Sequence, residues 1–308
     1  MRRLLFALFG AWVVAWSAGP ITNERLLKAD EEPGNWLMYS GNYRSYRYSG
    51  LDQITASNVS KLHPKWIYQM KTTHHVETTP LVVDGILYAT RPPNDVVALD
   101  TQTGRRLWYY HYPVPDKVYT CCGQVNRGLA ILGDRLFMAT VDAKLIALDA
   151  KSGRLLWKTA QADYEAGYAG TVAPLIAKDK VIVGIAGGEY GIRGFVDAYD
   201  AATGKRAWRF YTIPGPDDAH FGTWQGDSWK TGGGSTWTTG SYDPELNLDL
   251  LGYRQPRSGL ERRSPCRRQP VHRFDGRDRC RYGKAEMVFP IYAARHPRLG
   301  CHTGSGAG

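Results

Sequence analysis

Three segments of this chain repeat one another: "VVALDTQTGRRLW", "LIALDAKSGRLLW" and "VDAYDAATGKRAW". Each places an Ala, an Asp two residues on, a Gly six on and a Trp ten on. The sets are Ala98, Asp100, Gly104, Trp108; Ala147, Asp149, Gly153, Trp157; and Ala198, Asp200, Gly204, Trp208. The copies lie 49 and 51 residues apart. Each reads as strand, D-x-x-[TS]-G turn, strand, with Gly where the turn needs a positive φ. Further apolar runs broken by turns, "TPLVVDGILYAT", "GLAILGDRLFMAT" and "VAPLIAKDKVIVGIAGG", fill the intervals. Four short strands in a period of about 50 residues are the signature of a β-propeller blade. The expected fold is all-β: a partial β-propeller of about four blades, with the repeated Trp buried as a peg between neighbours.

The N-terminus reads as an export leader. Arg2 and Arg3 precede an apolar run from Leu4 to Trp16, and Ser17, Ala18 and Gly19 supply small residues for cleavage. The run is short for a membrane span, so residues 1–22 are expected to be removed and the chain to be periplasmic. That compartment is oxidising, which bears on "YTCCGQVNRG". A bond between Cys121 and Cys122 would join Cα atoms about 3.8 Å apart, below the usual disulfide range, and would add almost no loop-closure stability. Two adjacent thiols and a rigid vicinal disulfide both remain open on the residues alone.

The net charge of +10 suggests an anionic partner until it is located. Residues 250–308 hold 12 Arg and 1 Lys against 4 acids, which leaves 26 bases and 25 acids before them. Basicity is therefore a property of the tail, and so are three of the five cysteines.

From about residue 23 to 248 the chain resembles the quinoprotein alcohol dehydrogenases, the methanol/ethanol family that uses pyrroloquinoline quinone (PQQ). The likeness is carried by "NWLMYSGNYRSYRYSGLDQI", "VETTPLVVDGILYAT", "CCGQVNRG", "GTVAPLIAKDKVIVG", "GGEYGIRG" and "GGGSTWTTGSYDPELN". Those proteins are eight-bladed propellers with tryptophan docking motifs. The resemblance implies a disulfide between Cys121 and Cys122 on one face of the quinone and the Trp237 indole on the other. It implies Arg127 near the quinone oxygens, where a permanent cation stabilises developing negative charge. Glu77, Thr171, Gly187, Gly188 and Ser235 match further cofactor-binding positions. Glu189 matches the carboxylate that holds the metal, Ca²⁺ or a lanthanide. Ser235 stands where the family commonly has Thr, and Ala186 where it has Ser.

After "YDPELN" the resemblance stops within two residues. The family continues with "GTGNPGP", which carries a metal-binding Asn, then a fourth repeat and the aspartate base. The tail instead has the Arg-rich composition of a disordered nucleic-acid arm. A shifted reading frame explains it better. With permitted codon choices from Asp249 onward, the tail encodes "GTGNPGP" and a "DADTGK" repeat. Met287 followed by Val288 must read ATG-GTN, and the shifted codon is TGG, tryptophan. One extra base near Leu248 suffices.

The expected organisation is a leader over 1–22, the N-terminal part of a PQQ-binding propeller over 23–249, and an out-of-frame, irregular tail over 250–308. The implied activity is oxidation of a primary alcohol to an aldehyde, with a periplasmic cytochrome c as electron acceptor. No nucleic acid is expected as partner, and no membrane span after leader removal. The catalytic base falls in the shifted frame, so this chain is expected to be inactive. The alternative is a non-catalytic propeller scaffold of the cell envelope, which needs no quinone clamp.

Overall fold

The computed structural model describes residues 19–218, 221, 224, 226–253 and 285–290. Three four-stranded antiparallel sheets follow one another along the chain. The first is β1 (Leu81–Val83), β2 (Ile86–Arg91), β3 (Asp95–Asp100) and β4 (Arg106–Tyr110). The second is β5 (Ala130–Leu132), β6 (Arg135–Thr140), β7 (Lys144–Asp149) and β8 (Leu155–Ala160). The third is β9 (Leu175–Ala177), β10 (Lys180–Gly184), β11 (Phe195–Asp200) and β12 (Arg206–Tyr211). In each, spatial order equals sequence order, so every sheet is a simple meander. Burial falls from the first strands outward: β9 is fully buried, while β4 and β8 are half exposed. The first strands β5 and β9 touch each other, so they lie inward and the Trp-bearing strands outward. One apolar core, including Leu81, Phe137, Val181 and Tyr242, runs through all the sheets.

The repeat has a geometric meaning that recurs three times. Ala98, Ala147 and Ala198 stand directly across from Trp108, Trp157 and Trp208, and in each sheet the register shifts immediately after that alanine. The Asp caps the following turn: Asp100 Oδ1 accepts from the Thr103 amide (2.8 Å) and hydroxyl (2.7 Å). Asp149 does the same with Ser152, and Asp200 with Thr203. The turn glycine serves two ends. Gly104, Gly153 and Gly204 have φ near +70°, and a Cβ on each would lie 2.6–2.7 Å from the indole of Trp66, Trp108 or Trp157. The same three indoles donate Nε1–H to Thr101 O (2.9 Å), Ala150 O (3.0 Å) and Ala201 O (3.3 Å). Each Trp is thus plugged into the turn of the next blade.

The ladder stops at both ends. Trp208 Nε1 is buried with no hydrogen-bond partner among the described residues. At the other end, Trp66 fills the first socket from a stretch that belongs to no strand. Trp66, Tyr68 and Met70 pack on Ala89, Val97 and Leu99, while Ile67 between them is 80% exposed. The alternation is that of a strand, without a sheet to join.

Two expectations need correction. Trp108, Trp157 and Trp208 are half-buried instead of fully buried, because the docking strand is the outermost of each blade. The chain around the expected leader boundary packs into the fold. Ile21 is buried and pairs with Gly133, and Thr22 caps the helix α1 (Asn23–Leu27). Asn23 Oδ1 then accepts from the Lys178 amide (3.1 Å), and Arg25 grips Asp84. The segment from Ile21 thereby straps the first hairpins of all three blades. The tail is also not wholly irregular. β13 (Ser241–Asp243) and β14 (Leu248–Tyr253) open a fourth sheet, and β15 (Ala285–Pro290) pairs with β14. An unpaired strand edge accepts such an extended run readily. The other tail residues, and residues 1–18 of the expected leader, lie outside the described residues.

The pleat of β14 runs against its chemistry. Asp249 is 0% exposed with neither carboxylate oxygen hydrogen-bonded among the described residues, while its neighbour Leu250 is 37% exposed. Burial pushes the Asp249 carboxyl up to about 8, against slight relief from the Leu250 amide.

Candidate functional site

The site residues share a topological address. Glu77 lies four residues before β1, Arg127 three before β5, Thr171 four before β9 and Trp237 four before β13. Each is therefore on the segment that leads into the innermost strand of its blade. These segments are laced together: the Thr79 amide donates to Arg127 O (3.0 Å), and the Arg127 amide to Thr171 O (3.2 Å).

Arg127 is the hub. Its Nη2 lies 2.7 Å from Glu77 Oε2. Its Nη1 donates to Thr171 O (3.2 Å) and Oγ1 (3.0 Å), and its guanidinium carbon is 4.7 Å from the centre of the Trp237 ring. Three residues, each on the lead-in segment of a different blade, thus converge on one mostly buried cation from a fourth.

A second group stands on the β10–β11 connection. Gly187 and Gly191, both with positive φ, bracket the short turn Gly188–Tyr190 that carries Glu189. A Cβ on Gly187 would lie 2.0 Å from Gly167 O, so only glycine fits this approach of two backbones. Tyr190 stands near both Glu189 and the cysteines: burial raises the pKa of its phenol, and its neighbours Cys121, Glu189 and Cys122 raise it further. Tyr119 packs on Tyr190 with ring centres 5.5 Å apart. Cys121 and Cys122 are exposed with their sulfurs 2.7 Å apart.

Ser235 connects the two groups. It sits two residues before Trp237, and a Cβ on Gly188 would lie 3.0 Å from its Oγ. That hydroxyl is on a residue 1% exposed and has no hydrogen-bond partner among the described residues. A buried orphan hydroxyl beside a side-chain-free glycine is a polar group awaiting a ligand. Together the residues offer an aromatic face, a sulfur surface, a fixed cation and an unused hydroxyl, a set suited to a flat, acidic, polycyclic ligand. Among the described residues no three His, Cys, Asp or Glu gather to hold an ion.

Glu77, Arg127, Thr171 and Trp237, which the resemblance implied, lie together in the structure; Tyr119 and Tyr190 were not among the expected residues. Tyr190 carries a signal in hindsight, being the sole bulky residue in "GGEYG". No helix among the described residues is long and apolar enough to cross a membrane.

A family model described as the glucose/ethanol/alcohol dehydrogenase β-propeller domain of PQQ proteins matches residues 36–259. The chain is 43% identical over 266 residues to the quinohemoprotein alcohol dehydrogenase ADH IIB of Pseudomonas putida, covering 82% of this chain and 38% of that relative. It is 42% identical over 258 residues to the lanthanide-dependent methanol dehydrogenase of Methylacidiphilum fumariolicum, covering 76% and 42% respectively. Among solved structures, quinohemoprotein alcohol dehydrogenase ADHIIG of Pseudomonas putida superposes with a TM-score of 0.72 at 40% identity, covering 77% of this chain and 37% of that one. A europium-containing methanol dehydrogenase gives 0.71 at 41% identity, covering 76% and 45%. The chain spans about two-fifths of the length of the curated relatives it matches. With a match that takes in all three complete blades and every segment of the site, the chain belongs to the PQQ-dependent glucose/ethanol/alcohol dehydrogenase β-propeller family.

Proposed function

We propose that this chain is the N-terminal part of a periplasmic quinoprotein alcohol dehydrogenase that oxidises a primary alcohol to an aldehyde. The observation that carries the reading is the convergence of Glu77, Thr171 and Trp237 on Arg127, the four residues coming from four successive blades. A scaffold propeller has no use for such a hub. PQQ, when bound, supplies a two-electron hydride acceptor. The Trp237 indole and the Cys121–Cys122 surface hold the flat ring from its two faces. Arg127 presents fixed positive charge to the acidic ligand, and the Ser235 hydroxyl donates to it or accepts from it. In the oxidising periplasm the two sulfurs, already in contact, close to the vicinal disulfide. Glu189 is the carboxylate for Ca²⁺ or a lanthanide, but its co-ligands are not among the described residues, so no step is assigned to the metal. A periplasmic cytochrome c takes the electrons onward.

We further propose that the frame is shifted from Asp249 onward. In the shifted frame this position reads Ile when Asp249 is encoded by GAT, and an apolar residue there removes the buried carboxylate of β14, which has no partner among the described residues. The shifted frame also supplies a D-x-x-T-G turn, the partner that Trp208 Nε1 lacks. Both anomalies thus sit where the frame reading places the break. With the frame shifted from Asp249, the residues that follow carry no counterpart of the family's catalytic base, and the chain as written is expected to turn over no alcohol.

The test is a PQQ titration followed by indole fluorescence, with alcohol-driven reduction of an artificial acceptor. A gene with one base deleted near codon 248, and its downstream reading frame restored, should yield a product that binds PQQ and turns over. Turnover by the 308-residue chain, or a restored product that ignores PQQ, would sink the reading.

A further inference from the structure

Arg193 lies four residues beyond Glu189 on the same connection. Its guanidinium carbon is 3.8 Å from the Tyr211 ring centre and 4.6 Å from that of Trp229. Its Nε donates to Ile213 O at 2.9 Å. A Cβ on Gly215 would lie 2.8 Å from its Nη2, so that glycine makes room for it. One planar cation therefore touches the start of the long excursion between β12 and β13, at Tyr211 and Ile213, and Trp229 within it; the same excursion ends in Ser235 and Trp237. The backbone holds that end. The Gly233 amide donates to Ile192 O (2.8 Å), the Gly194 amide to Gly233 O (2.7 Å), and the Thr236 amide to Ile185 O (2.8 Å).

We infer that Arg193 is a positioning residue that couples the Glu189 turn to the Ser235–Trp237 segment, so that the two sides of the ligand slot keep one spacing. The inference rests on the quinone-site reading for its functional consequence, and on the geometry alone for the coupling. Stacking between two rings while aiming Nε at a carbonyl needs a plane, which lysine lacks. Arg193→Lys keeps the charge and loses the plane, and so separates this role from simple charge.

Hydrogen exchange on the 308-residue chain reads the coupling directly. In Arg193→Lys and Arg193→Ala, the amides of Gly194, Gly233 and Thr236 should exchange about tenfold faster, the scale of one desolvated cation–π contact. Amides of β6 and β7 should be unchanged. Trp229→Leu, which removes one ring and leaves the arginine, should speed Gly233 in the same direction. PQQ affinity of the frame-restored chain should fall about tenfold in Arg193→Lys, with no rescue by the retained charge. Unchanged exchange at the three amides overturns the inference. Loss of protection throughout the chain also overturns it, since Arg193 would then be a residue of general stability. Full PQQ affinity in Arg193→Lys overturns it too. A wild-type frame-restored chain that ignores PQQ refutes the quinone reading, while the exchange arm still decides the coupling.

Discussion

The Trp157 indole rests on Gly204 so closely that a single added carbon would lie 2.7 Å from it. Gly133 has a similar φ of +64°, yet a Cβ there would meet nothing within 4 Å. The pair separates backbone strain from packing. Gly133→Ala should cost about 1 kcal/mol from its left-handed backbone alone. Gly204→Ala should cost about 2–4 kcal/mol, because the indole must also move. Urea midpoints of the two variants check this, and equal losses would show that docking contributes nothing.

The empty end of the ladder gives a sharper contrast. Trp157→Phe removes an N–H that is bonded to Ala201 O, whereas Trp208→Phe removes one with no partner among the described residues. Ring shrinkage is common to both. Trp157→Phe should therefore cost about 1 kcal/mol more. In the frame-restored chain the difference should vanish, because Trp208 then has a turn to dock in. A difference that persists there would count against the fourth blade.

Asp249 makes stability depend on pH in an unusual sense. Its folded-state pKa of about 8 lies above the ordinary carboxylate value, so its ionisation opposes folding. The folded chain then binds one more proton than the unfolded chain between about pH 4 and pH 8. Stability should fall by about 1.4 kcal/mol per pH unit as pH rises across that window. Asp249→Leu should abolish the slope and raise stability at neutral pH. The three turn aspartates act oppositely. Asp100, Asp149 and Asp200 are held below their usual value, chiefly by the hydroxyls of Thr103, Ser152 and Thr203. Their contribution is present above about pH 4 and is lost as pH falls through the lowered values. Denaturation curves from pH 3 to 9, with and without Asp249→Leu, separate the two effects.

What the sequence revealed was local. Asp100 to Gly104 specify a turn through contacts within five residues, so three copies announce three blades. The four-blade convergence on Arg127 was legible only through resemblance, because nothing in "NRG" states that the arginine meets Glu77, 50 residues earlier. The strap from Ile21 to Arg25 was hidden for the same reason. Its partners Gly133, Lys178 and Asp84 are equivalent hairpins, but that equivalence exists in space alone. The half-burial of the docking tryptophans was missed because a ten-residue spacing fixes the register with alanine and says nothing about which strand lies outermost. β15 was missed because pairing to an exposed edge asks only for an extended run, which no motif marks.

Arg127 separates stability from binding. Its partner Glu77 is 40% exposed, so water can solvate that carboxylate if the pair is broken. Such partly exposed pairs are worth about 0–1 kcal/mol. Arg127→Lys keeps a charge that reaches Glu77, but it gives up the planar contact with Trp237 and the paired bonds to Thr171. The variant should therefore unfold within about 1 kcal/mol of wild type. In the frame-restored chain it should bind PQQ at least about tenfold more weakly, since a charge-assisted bond to a buried ligand contributes about 1.5–3 kcal/mol. Fluorescence titration beside urea denaturation measures both quantities on one preparation. An Arg127→Lys chain that loses stability and affinity in step would make Arg127 a structural clip between blades, and the ligand-facing role assigned to it would be wrong.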